Sequence, residues 1–279
     1  MTLAFLNLTW PTFANGLALG GVYALMAVGI GLVFGVLRLV NFAYGQLIMA
    51  GAFALAYGSQ WGFPNWASIL FCFGVVLALS VLMDRLVFRP LRTHSPAVML
   101  VATFAVAFLL QNIALLAFGP LGKSAGSLAI LNAPWDIGGV FIKKIAVISV
   151  ATAAGCLVIL QLLLTRTPLG LHMRAASMDF RTARLLGVRA NRVIAGAVLV
   201  SGAFAAVSAV MLSVQELTVV PTFGTQDTIL VLAGVVLGGV LPSNQSQYLP
   251  SFLFAAVIVV LLVRPNGLFT RAAGTGDRV

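Results

Sequence analysis

The chain has 279 residues, of which 61% are hydrophobic and 8% charged, with a formal net charge of +10. A soluble domain carries about 25% charged residues, so a water-soluble enzyme or binding module is excluded and the chain is suited to a bilayer. The basic residues gather mainly in two loops and the tail, which reads as a membrane-topology signal and not as a nucleic-acid footprint.

Backbone in a bilayer must be helical or form a closed barrel. Barrel strands alternate apolar and polar residues, and Val22–Phe34 shows no such alternation. The expected fold class is all-α, a polytopic integral membrane helical bundle forming a single domain over residues 1–279. Eight membrane segments are predicted, at about 12–36, 42–60, 65–84, 97–118, 142–164, 193–213, 228–241 and 247–263. Apolar runs of about 17–25 residues suit a hydrocarbon core of about 30 Å.

From Met1 to Met83 the sole charged residue is Arg38. No basic region precedes the first apolar run, which reads as a retained span and not as a signal peptide. Within it Gly16, Gly20, Ala24, Ala27 and Gly31 recur at helical spacing. Such small residues let helices approach closely; the alternative is that they line a pathway. The motif Arg38-Leu39-Val40-Asn41-Phe42-Ala43-Tyr44-Gly45-Gln46 follows. Side-chain amides at membrane depth are costly without a partner. Asn41, Tyr44 and Gln46 are therefore either interhelical hydrogen-bonding groups or the polar lining of a solute route.

The loop Asp84–His94 carries Arg85, Arg89 and Arg92. Gln111 and Asn112 follow the apolar run Val98–Leu110 and are a second candidate pair for the route or for interfacial hydrogen bonding. The weakly charged loop Gly119–Gly139 reads as external, with Lys143 and Lys144 against the trend. Cys72 and Cys156 sit in apolar segments and read as inert thiols. The loop Arg166–Arg192 holds six arginines against the one acid Asp179. Its alanines and leucines favour a short amphipathic helix, with Gly187 at the position that stops it. Such a helix either lies on anionic membrane lipid or docks a cytoplasmic partner.

The basic loops and tail (Arg264, Arg271, Arg278) belong on the cytoplasmic side. Three full crossings after Arg192 would put the tail outside, so one late segment is broken or re-entrant. The candidate is Gln215–Pro242, bracketed by Glu216 and Asp227, either of which suits the positive end of a short helix. There is no phosphate-binding Walker A sequence. His94 and His172 have no paired partner in sequence, so no catalytic residues, metal site or cofactor are expected.

Several motifs together resemble one family. They are Gly16–Gln46, Phe88–Arg92, Ala102–Asn112 followed by Phe118–Pro120, Gly170–Val188, and Arg264–Phe269. Over nearly its whole length the chain is similar to the permease subunit of branched-chain amino acid ABC importers. The resemblance implies a bacterial inner-membrane importer with a second permease subunit, often a paralogue. It also implies two cytoplasmic ATPase subunits that hydrolyse ATP, and a periplasmic solute-binding protein. It makes residues 165–192 the cytoplasmic coupling loop, with ATPase contact carried onto Arg174, Ala175, Ala176, Asp179, Ala183, Arg184, Leu186 and Gly187. The family commonly reads NFAHGE where Asn41–Gln46 stands, so a His and a Glu have become Tyr44 and Gln46. Relatives also carry urea, short amides or aromatic acids. A stand-alone transporter or channel is the rival, and it would need intramembrane ionisable residues for coupling, which are few here.

Overall fold

The computed structural model describes residues 10–37, 41–91, 94–124, 131, 133–137, 140–178, 180–216 and 218–239. The predicted segment 247–263 lies outside them. Seven long or medium helices occupy the other predicted positions: α1 Trp10–Leu37, α2 Tyr44–Gln60, α3 Asn65–Met83, α5 Pro96–Phe118, α6 Lys144–Arg166, α9 Ala190–Gln215 and α10 Thr225–Gly239. A π-helical turn, Asp84–Phe88, and the short α4, Arg89–Leu91, extend α3. Five of the helices are long and apolar enough to cross a membrane. At 17 and 15 residues, α2 and α10 are shorter. Helices thus stand at seven of the eight predicted segments, and five of them meet the length and apolarity of a full span.

Sequence sets the helix ends. Pro96 stands in the first turn of α5 after the extended Ser95, where its missing N–H is no loss. Gly119, at φ 77°, ends the same helix while its N–H still reaches the Leu115 carbonyl at 2.9 Å.

The centre of the bundle is α9, which packs on α1, α2 and α3 and has 72% of its span buried. At the periphery, α5 and α6 have only 17% and 11% buried and present apolar side chains such as Phe104, Phe108, Val158 and Ile159 outward. Lipid is as apolar as these side chains, so cohesion in such a bundle comes from close packing and not from expelling water. Gly51 shows how. A Cβ there would lie 2.7 Å from Val76, 2.9 Å from Ala209 and 3.1 Å from Cys72, so α2, α3 and α9 meet around a missing side chain. On α1 the predicted stripe is met in part, since Gly20 is buried and Ala27 packs against the core. Gly21 faces Ser149 and Ala153, and Gly29 faces Tyr44 and Phe204, whereas Gly16 and Gly31 have no such neighbour. Spacing was readable from sequence, but the phase of the contact face depends on the neighbours.

Two small antiparallel ribbons complete the described fold. β2, Pro134–Ile137, pairs with β3, Val140–Lys143. β1, Lys123–Ser124, pairs with β4, Thr218–Val219, which ties the segment after α9 to the end of α5. From β4 the chain turns back along α2: Gly224 lies against Ile48, and Gly45 against Gly224 and Thr228. Gly45 is more than a helical turn nearer the start of α2 than Gly51, which meets α9 at Ala209. The stretch predicted to be irregular is thus a folded-back segment that leads into α10 beside the first turn of α2.

Candidate functional site

Polar chemistry concentrates where α10 begins. Because Gly45 has no side chain, the first turn of α10 lies close to α2. A Cβ on Gly45 would stand 2.8 Å from Thr228 Oγ1 and 2.9 Å from the Gly224 oxygen. The Gln46 amide, 2% exposed, then donates from Nε2 to Thr225 Oγ1 at 3.2 Å. From α1, the Tyr23 hydroxyl donates to Asp227 Oδ1 at 2.7 Å. Asp227 lies in the first turn of α10, where the positive helix end favours its charge by about 0.3–1 kcal/mol. Glu216, beyond the end of α9, is pushed above the ordinary carboxylate range by the surrounding protein and then by the Asp227 charge.

Two buried polar atoms here lack a partner among the described residues, Gln46 Oε1 and Thr228 Oγ1. A buried group left unpaired costs about 1–3 kcal/mol, so such atoms mark where a further polar molecule is accommodated. Asn41 is different. Its Oδ1 accepts the Ala43 N–H at 3.1 Å, which closes the turn that starts α2 and satisfies the side chain locally. Gln111 and Asn112 are also apart. Asn112 Nδ2 donates to the Phe108 carbonyl of its own helix at 2.7 Å, and neither amide shares a hydrogen bond with the junction among the described residues. Of the five residues expected along a route, Gln46 brings an unpaired polar atom to the junction, while the Tyr44 hydroxyl faces Gly29 of α1. Tyr23, Thr225 and Thr228 were not anticipated, and Asp227 was read chiefly as a helix cap.

A second feature is the basic loop, which folds as the helical stretches α7, Pro168–Met178, and α8, Phe180–Leu185. Thr167 sits between α6 and α7. Its hydroxyl donates to the Leu163 carbonyl at 2.6 Å and accepts the Gly170 N–H at 3.1 Å, capping α7 just before Pro168. Leu169 and Met173 rest on Gly196 of α9, where a Cβ would meet them at 2.8 and 3.2 Å. That contact fixes α7 to the central helix. Gly187, at φ 88°, ends α8 as expected. The Val188 N–H reaches the Ala183 carbonyl at 3.1 Å, the closure that a left-handed residue permits.

The loop faces divide sharply. Ala176 and Ala183, expected on the docking face, are each 4% exposed and point into the protein. Their small size serves internal packing. Ala175 is half-buried, while Arg174, Leu186 and Gly187 are exposed. The side chains of Asp179 and Arg184 lie outside those described. The outward face adds two leucines not anticipated, Leu171 and Leu185. Leu185 and Leu186 are 84% and 81% exposed side by side, flanked by the exposed Arg189 and Arg192.

The sequence pattern of the family described as "Branched-chain amino acid transport system / permease component" matches residues 12–271. The chain belongs to this family. It is 27% identical over 289 residues to the high-affinity branched-chain amino acid transport system permease protein BraD of Pseudomonas aeruginosa, covering 92% of this chain and 94% of that one. It is 28% identical over 292 residues to the permease protein LivH of Escherichia coli K12, with the same coverage. An inward-facing putative metal-chelate type ABC transporter aligns over 89% of this chain and 85% of its own at TM-score 0.38 and 20% identity, a likeness that carries no argument. The chain is therefore a multi-pass membrane permease component. Among the described residues no three His, Cys, Asp or Glu side chains gather as a metal site.

Proposed function

We propose that the chain is one transmembrane subunit of a bacterial inner-membrane ABC importer that moves branched-chain or related amino acids. A second permease subunit completes the pore, two cytoplasmic ATPase subunits hydrolyse ATP, and a periplasmic binding protein delivers the solute. The observation that carries this reading is the family match across residues 12–271. The loop supports it physically. An ATPase needs a rigid handle, and α7 is locked to α9 through Leu169, Met173 and Gly196. The exposed Leu185–Leu186 tip offers apolar area inside a basic rim, the composition of a contact with a polar edge. Closure of the ATPases would then move α9 and shift the bundle between two arrangements.

The test is affinity purification of the tagged chain from native membranes in mild detergent, with mass spectrometry and an ATPase assay. The expected result is recovery of ATPase subunits and a second permease, with the ATPases and ATP hydrolysis lost in the Leu185→Asp/Leu186→Asp double variant. Recovery of the chain alone, with no ATP hydrolysis, would favour a stand-alone transporter.

A further inference from the structure

The α2–α3 hairpin ends in a knot of aromatic rings. α2 closes with the Phe63 N–H on the Gly58 carbonyl at 3.0 Å, and Pro64 stands at the start of α3. Trp61, Phe63 and Phe71 form a triangle with ring centroids 5.9–6.3 Å apart, and Tyr57 joins it 6.0 Å from Trp61. The rings hold one another in place, yet Trp61 and Trp66 are 62% and 67% exposed. Residues 39–83 and 95–122 carry no Asp, Glu, Lys or Arg. The charge that follows, Lys123, sets its ammonium 6.0 Å over the Tyr57 ring. The described partner of that ammonium is a ring and not a carboxylate.

The tip is also one end of an outward stripe. Trp66, Leu70, Gly74, Ala78 and Leu82 recur every four residues along α3, and all are exposed. Beyond Leu82 the stripe reaches the exposed Arg85 and Arg89, which mark the cytoplasmic end. The apolar span Asn65–Leu91 has 27 residues, or about 40 Å at the helical rise, against a hydrocarbon core of about 30 Å. The rings therefore stand at the external headgroup level, where amphipathic rings are favoured.

We propose that Trp61, Phe63, Trp66 and Lys123 form a site for an anionic phospholipid of the external leaflet. The lipid phosphate meets the Lys123 ammonium, and the indole rings lie at the boundary between headgroup and acyl chains. Tyr57 keeps Lys123 against the hairpin. A zwitterionic lipid fills the same boundary, but its own ammonium offsets its phosphate. Lys123 pairs in β1 with Val219 of β4, so the lipid bears on the segment that leads into α10.

The test is tryptophan fluorescence of the full chain carrying Trp10→Phe and Trp135→Phe, so that Trp61 and Trp66 report. The chain is held in phosphatidylcholine nanodiscs. The quenchers are phosphatidylglycerol and phosphatidylcholine, spin-labelled either near the headgroup or at the acyl terminus. The shallow label should quench more than the deep one. Shallow phosphatidylglycerol should be favoured over shallow phosphatidylcholine by about fivefold, the scale of one lysine at an anionic surface, and Lys123→Gln should remove that preference while leaving the depth order unchanged. Equal quenching by the two lipids, a preference indifferent to Lys123→Gln, stronger quenching from the acyl terminus, or no quenching because protein covers the tip would each overturn the proposal. If the tryptophan variants fail to assemble, the thermal midpoint of the unaltered chain decides. Phosphatidylglycerol should raise it more than phosphatidylcholine does, Lys123→Gln should shrink the difference, and inorganic phosphate should leave it unmoved. A difference untouched by Lys123→Gln, or a shift with phosphate alone, would again overturn the lipid site.

Discussion

The α10 junction and the α7–α8 loop use polar residues under opposite constraints. At the junction they are few, and two pairs, Tyr23 with Asp227 and Gln46 with Thr225, join different helices. In the loop they are many and exposed, and the informative side chains are the apolar ones, Leu185 and Leu186. Inside a bilayer an unpaired polar atom is the anomaly; on a solvated loop an exposed leucine pair is. The two regions are joined mechanically, because α9 bears on α7 at one end and leads into the folded-back segment at the other.

The severest way to break the junction is Gly45→Val. Its side chain would enter space held by the Gly224 backbone and Thr228. Overpacking costs about 1–3 kcal/mol and more where backbone blocks relief, so the yield of monodisperse protein in fluorescence-detected size exclusion should collapse. The loop should respond differently. Leu185→Asp/Leu186→Asp alters two exposed side chains, so yield should be unchanged while ATP-driven uptake falls by about tenfold or more, as for loss of an interface anchor.

Tyr23→Phe removes the hydroxyl that serves Asp227. It should lower stability by about 1 kcal/mol, read as a drop in the thermal midpoint, without abolishing assembly. The smallest effect belongs to Asn112→Ala. That amide already bonds its own helix, so uptake should stay at the level of the unchanged protein and stability within about 0.5 kcal/mol. A large loss of uptake with Asn112→Ala would move the solute route toward α5.

The sequence made the helices legible because each is a long apolar run bounded by Pro, Gly or charge. Of the stretch Gln215–Pro242, read as irregular, only the part before Thr225 turns back and Thr225–Gly239 is one helix, whereas the end of α8 was legible from Gly187. Side-chain partners were not. Tyr23 and Asp227 are 204 residues apart, and nothing local in an apolar, Gly-rich helix distinguishes a tyrosine that serves a carboxylate from one that packs. The same holds for Ala176 and Ala183: their helical setting was readable, but only the folded structure shows that they are buried. Polarity alone left Asn41 as a route residue or a hydrogen-bonding group, and its Oδ1 serves the turn at Ala43.

The most direct measurement is uptake of radiolabelled L-leucine into proteoliposomes that contain the complete importer with its binding protein, with and without ATP on the side of the ATPases. The account predicts accumulation that requires ATP hydrolysis and is lost with Leu185→Asp/Leu186→Asp. Accumulation that persists without ATP and collapses when the ion gradients are dissipated would contradict it.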